Sequence, residues 1–123
     1  MKNILVVEPD TDLNNLIQLH LENSDCHIDQ SYTSEDGLSR ALSNAYDLIL
    51  VDMEDHKGLE MYQALRTENI YQPIVMLTAC REERQTLAAF AQDKCYHLTK
   101  PFRISELINM VNRTGINQVL MNN

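Results

Sequence analysis

Five polar side chains stand where apolar runs break off. Glu8 and Asp10 follow "ILVV" at 4–7 with Pro9 between them, and Asp52 follows "YDLILV" at 46–51. Thr78 ends "PIVMLT" at 73–78, and Lys100 follows "CYHLT" at 95–99. A carboxylate, a hydroxyl and an ammonium gathered in one place are the groups needed to form and hold an aspartyl phosphate. The carboxylate serves as nucleophile, while a donor and a cation stabilise the transferred phosphoryl oxygens. Singly, each residue has a plainer reading. Asp52 can face water or cap a helix, Thr78 can be only a β-former, and Lys100 a solvated lysine. Their combination carries weight only if the fold brings them together.

The elements that must do so are legible as an alternation. "ILVV", "YDLILV" and "PIVMLT" are short apolar runs suited to strands buried on both faces. "HIDQSY" at 27–32 and "CYHLT" are more polar, as strands nearer a sheet margin are. Helical spacing fills the intervals: Leu13, Leu16, Ile17 and Leu21; Leu38, Ala41, Leu42 and Ala45; Leu59, Tyr62 and Leu65; Leu87, Phe90 and Ala91; Ile104, Leu107, Ile108 and Val111. Five strands alternating with five helices predict an α/β fold, a doubly wound parallel sheet with right-handed crossovers and helices on both faces. The carboxyl ends of the strands then form the functional rim, beside the point where strand order reverses. Gly115 is expected to end the last helix, so residues 1–114 form the domain and 115–123 a tail or truncated linker.

Over residues 1 to about 113 the sequence resembles the receiver domain of bacterial response regulators. The residues that carry the likeness are "ILVVE" at the start, "LILVD" ending on Asp52, "PIVMLTA" containing Thr78 and "LTKPF" containing Lys100. The resemblance implies a flavodoxin-like strand order 2-1-3-4-5 and a role in two-component phosphorelay signalling. It makes Asp52 the phosphoacceptor, Thr78 the hydroxyl that follows the phosphoryl group, and Lys100 its ion-pairing partner. It also implies a cis Lys100–Pro101 bond, which proline makes accessible. Such a domain is not an enzyme beyond autocatalytic transfer to its own aspartate.

Three departures from the family pattern bear on mechanism. Receivers usually follow strand one with two adjacent acids, the second binding Mg²⁺ directly; here the pair falls on Glu8 and Pro9. A unit-charge pair about 4 Å apart is worth roughly 4 kcal/mol at an effective dielectric of about 20, so losing one carboxylate weakens a Mg²⁺ site substantially. A proline ring has no lone pair to coordinate. The remaining candidate ligands are Glu8, Asp10, Asp52 and Glu54, the last through its backbone carbonyl or its side chain, although Asp10 is also placed to cap the first helix. Second, the loop after Asp52 reaches Gly58 two residues sooner than the family pattern, with His56 and Lys57 expected as surface residues. Third, the aromatic switch position, three before Lys100, carries His97, so the switch pair is Thr78 and His97. The plainer alternative is an exposed histidine on a marginal strand, and Tyr96, one position off, faces the other way.

Composition excludes several classes. The 123-residue chain carries a net charge of −8, without a Lys/Arg cluster, which disfavours direct nucleic-acid binding. Three glycines, with no G-x-G-x-x-G, P-loop or nucleophile elbow, argue against dinucleotide, triphosphate and hydrolase sites. An FMN phosphate would meet carboxylates in the first loop. Cys26, Cys80 and Cys95 lack metal-ligand spacing and read as reduced core residues of a cytoplasmic protein. No run of about 18 apolar residues suggests a membrane span. Two functions remain: a phosphorylated receiver with a weakened Mg²⁺ site, or a phosphorylation-independent pseudo-receiver acting as an interaction module. The resemblance implies a histidine kinase or phosphotransfer protein as donor, and an output domain or effector as target. It admits a homodimer through the fourth helix, fifth strand and fifth helix, although Met110 replaces an interface arginine found in one large subclass.

Overall fold

The computed structural model describes residues 2–23, 25–53, 57–78 and 95–114. Five strands, β1 (Lys2–Val7), β2 (Cys26–Ser31), β3 (Leu48–Asp52), β4 (Ile74–Thr78) and β5 (Cys95–Thr99), form one sheet in the order β2-β1-β3-β4-β5. Every pairing is parallel. The described helices are α1 (Thr11–Leu21), α2 (Ser34–Ser43), α3 (Lys57–Thr67) and α4 (Ile104–Arg113). The helix expected around Leu87, Phe90 and Ala91, together with Cys80, Glu54 and the 115–123 tail, lies outside the described residues.

Because successive strand residues point to opposite faces, each central strand feeds two cores. On one face Ile4, Val6, Leu48, Leu50, Val75 and Leu77 pack against Ile17 and Leu21 of α1 and Leu107 and Val111 of α4. On the other, Leu5, Val7, Ile49, Val51, Ile74 and Met76 meet Ala41 of α2 and Met61, Tyr62 and Leu65 of α3. β3 and β4 are buried along their whole length, as their continuous apolar runs require. β5 obeys the same alternation: Tyr96 and Leu98 join the first core and Cys95 the second. His97 is half-buried rather than exposed, with its Nε2 atom shielded from solvent.

The helix starts are chemically marked. Asp10 caps α1 by accepting the Leu13 amide, and Thr33 caps α2 by accepting the Asp36 amide. Among the described residues no helix is long and apolar enough to cross a membrane.

Candidate phosphoacceptor rim

The sheet order puts its reversal between β1 and β3, and the carboxyl ends of those two strands deliver Glu8 and Asp52 side by side. Both carboxylates are buried, Glu8 at 1% and Asp52 at 6% relative exposure. Lys100, just past β5, places its Nζ atom 2.7 Å from Glu8 Oε1 and 2.9 Å from Asp52 Oδ1. One ammonium thus bridges two carboxylates from different strands. Burial works against that charge, but the hydrogen bonds to Glu8 and Asp52 outweigh it and hold Lys100 above the ordinary lysine range.

Backbone bonds fix these positions. The Lys100 amide donates to the Thr78 carbonyl at 2.7 Å, and the Met53 amide donates to the Leu77 carbonyl at 2.9 Å, so the ends of β3, β4 and β5 are tied in sequence. The Lys100–Pro101 bond is cis. Thr78 is fully buried, and its hydroxyl has no hydrogen-bond partner among the described residues. A buried hydroxyl in that state is unfavourable unless another group completes it.

Asn14 is a contributor that sequence reading missed. Its side-chain amide donates to the carbonyls of Glu8 at 3.1 Å and Ser31 at 3.0 Å, pinning the ends of β1 and β2 to α1. The sequence signal was its spacing, on the stripe of Ile17 and Leu21; the structure buries it fully, where an asparagine needs partners to be tolerated. Gly58 is the second. A Cβ there would collide with the Asp52 carbonyl oxygen and lie 2.6 Å from Met53 Sδ, so glycine lets the first turn of α3 rest on the Asp52–Met53 backbone.

Of the expected metal ligands, Glu8 and Asp52 meet on the Lys100 ammonium, Asp10 stands at the helix cap and Glu54 lies outside the described residues. Pro9 offers no donor, and Asp10 is exposed with its carboxylate turned to the α1 amide of Leu13, 3.2 Å away. Glu8 has both oxygens engaged, Oε1 with Lys100 and Oε2 with the Asp10 amide at 3.1 Å. Among the described residues no group of three or more His, Cys, Asp or Glu is arranged to hold a metal. Among the described residues, the Lys100 ammonium, and not a divalent cation, is what Glu8 and Asp52 are arranged around.

Beside Asp52, a cleft of about 230 Å³ opens between the ends of β1 and β3 and the starts of α2 and α3, with Pro9, Tyr32, Glu35 and Lys57 on its walls.

A family model described as the response regulator receiver domain matches residues 4–112. Response regulator ArlR of Staphylococcus saprophyticus is 36% identical over 110 residues, covering 88% of this chain and 50% of that protein. ArlR of Staphylococcus aureus is 33% identical over the same shares. The chain therefore spans about half the length of these relatives. Among solved structures, response regulator TrrA of Thermotoga maritima in complex with Mg²⁺ and BeF is 30% identical, with a TM-score of 0.81 over 93% of this chain and 99% of that one. A Francisella response regulator receiver domain is 28% identical, with a TM-score of 0.79 over 93% and 96%.

Proposed function

The chain belongs to the response regulator receiver domain family, and from that premise we propose that Asp52 is its phosphoacceptor, with Thr78 and Lys100 stabilising the transferred group. A receiver of this kind works in two-component signalling. The observation that carries the reading is the Lys100 ammonium held on Asp52 at 2.9 Å, while the adjoining strand β4 ends on a buried Thr78 hydroxyl that lacks a partner among the described residues. An Asp52 oxygen attacks phosphorus, the bond from phosphorus to the donor breaks, and Lys100 and the Thr78 hydroxyl meet the developing charge on the phosphoryl oxygens. Inward movement of Thr78 and rearrangement of His97 on β5 then carry the change toward the output face.

In this reading the family's Mg²⁺ site is weakened by Pro9 and by the commitment of Asp10 to its helix cap. Glu54 is a further candidate oxygen donor. The donor is a histidine kinase or phosphotransfer protein, the recipient an output domain or effector, the compartment the cytoplasm, and residues 1–114 the working unit. Incubation with acetyl phosphate and Mg²⁺ should add one phosphoryl mass to the intact chain, and Asp52→Asn should abolish it. Equal labelling of Asp52→Asn, or none of the native chain, contradicts the assignment.

A second reading is favoured by one observation: Lys100 already bridges Glu8 and Asp52, so the rim is tied together without a phosphoryl group. Under that reading the domain is an interaction module, and Asp52→Asn retains partner binding and signalling.

A further inference from the structure

Lys57 was expected to be a surface lysine, and its side chain is 60% exposed. Its place in the fold gives it more to do. It is the first residue of α3, and the next residue, Gly58, is the glycine on which that helix rests against the Asp52–Met53 backbone. Adjacent Cα atoms are about 3.8 Å apart, so the Lys57 backbone is fixed close to Asp52 by a packing contact. Its side chain lines the same cleft as Asp52 and Pro9 and reaches across to α2, with Nζ 3.6 Å from Glu35 Oε2. Glu35 is 71% exposed, and ion pairs so open to water contribute little and exchange readily.

The charge balance of the rim points to a use for that ammonium. Lys100 is shared between Glu8 and Asp52, and Pro9 brings no carboxylate to recruit a divalent cation. A phosphoryl group on Asp52 adds negative charge to a cleft that, among the described lining residues, Lys57 alone can offset with a cation. Resting on the phosphoacceptor assignment of Asp52, we infer that Lys57 leaves Glu35 to bind the phosphoryl oxygens, serving as a second cation that lets the adduct form without Mg²⁺. With acetyl phosphate, an electron pair of an Asp52 carboxylate oxygen forms the bond to phosphorus. The bond from phosphorus to the acetate oxygen breaks, and acetate leaves with its pair. No net proton transfer is needed, and the Lys57 ammonium offsets the one negative charge that the phosphoryl group adds to the rim.

The test follows adduct formation by intact mass in the full chain with acetyl phosphate, in millimolar Mg²⁺ and in excess EDTA, for the native protein, Lys57→Ala and Lys57→Arg. The inference requires the native adduct to form at similar rates in both buffers. Lys57→Ala should slow it about tenfold, less than the roughly 10²–10³ lost with a preorganised oxyanion donor because this side chain is open to water, and Lys57→Arg should restore most of the rate. A native adduct that needs Mg²⁺, or an EDTA rate unchanged in Lys57→Ala, overturns the role of Lys57 while leaving Asp52 as phosphoacceptor. No native adduct in either buffer overturns both. Unfolding curves of the variants should match the native one, because the substituted side chain is exposed.

Discussion

Lys100 lies 2.7 Å from Glu8 and 2.9 Å from Asp52, and its removal would leave two buried carboxylates facing each other without a counter-charge. Losing one partner of a buried ionic group costs about 3 kcal/mol or more. Lys100→Met should therefore unfold at clearly lower denaturant, whereas Asp52→Asn, which leaves Lys100 its partner Glu8, should change stability far less. The pH dependence has a defined sign. Since Lys100 titrates above its ordinary value in the folded chain, its stabilisation is complete below the ordinary lysine value and is lost as pH rises through the folded-state value. Denaturation across the alkaline range should show a decline in the native protein whose Lys100-dependent part is missing in Lys100→Met. An unchanged alkaline limb in the variant contradicts the bridging role. Much at this scale was readable beforehand. Asp10 before an amphipathic run announced a cap, and Pro9 announced a missing donor. The bridging of Glu8 was not readable, because which of two carboxylates a lysine chooses depends on where three strand ends meet.

Strands and helices convert those single residues into a rim. Glu8, Asp52, Thr78 and Lys100 come from four different strand ends, and parallel pairing places them at one edge without any contact local in sequence. That convergence was legible from the β-α alternation alone. The closeness of α3 was less so. Gly58 stood out as the end of a short loop, but the collision its side chain would make with the Asp52 carbonyl is a property of packing. Gly58→Ala should cost about 1–3 kcal/mol, as overpacking does, and should slow adduct formation by displacing Asp52; chemical unfolding and mass labelling read the two effects. Helical spacing also overstated the buried stripe, since Leu16 and Leu42 are 41% and 48% exposed. The apolar stripe they extend is wider than the sheet surface that their helices cover. Asn14 escaped notice for the opposite reason: a polar residue on a buried face is explicable only once the carbonyls of Glu8 and Ser31 are seen beneath it.

The whole molecule is a sheet between two apolar layers, and its stability resides in the strands that both layers share. Leu50 is fully buried at the centre of β3, two residues before Asp52. Leu50→Ala should lose about 2–5 kcal/mol of unfolding free energy, measured by denaturant titration; a loss within error would contradict its place in the core that β3 forms with α1 and α4. The α/β class followed from the order of the apolar runs, whereas the strand order rested on resemblance to receiver domains, because the same alternation is compatible with other windings. The proposed chemistry is local: the carboxylate at the end of β3 is the group proposed to accept phosphoryl. Peptide mapping of the acetyl phosphate-treated chain, with and without hydroxylamine, tests it most directly. The account predicts one hydroxylamine-sensitive acyl phosphate, located at Asp52; a modification stable to hydroxylamine, or one mapping to any other residue, would contradict it.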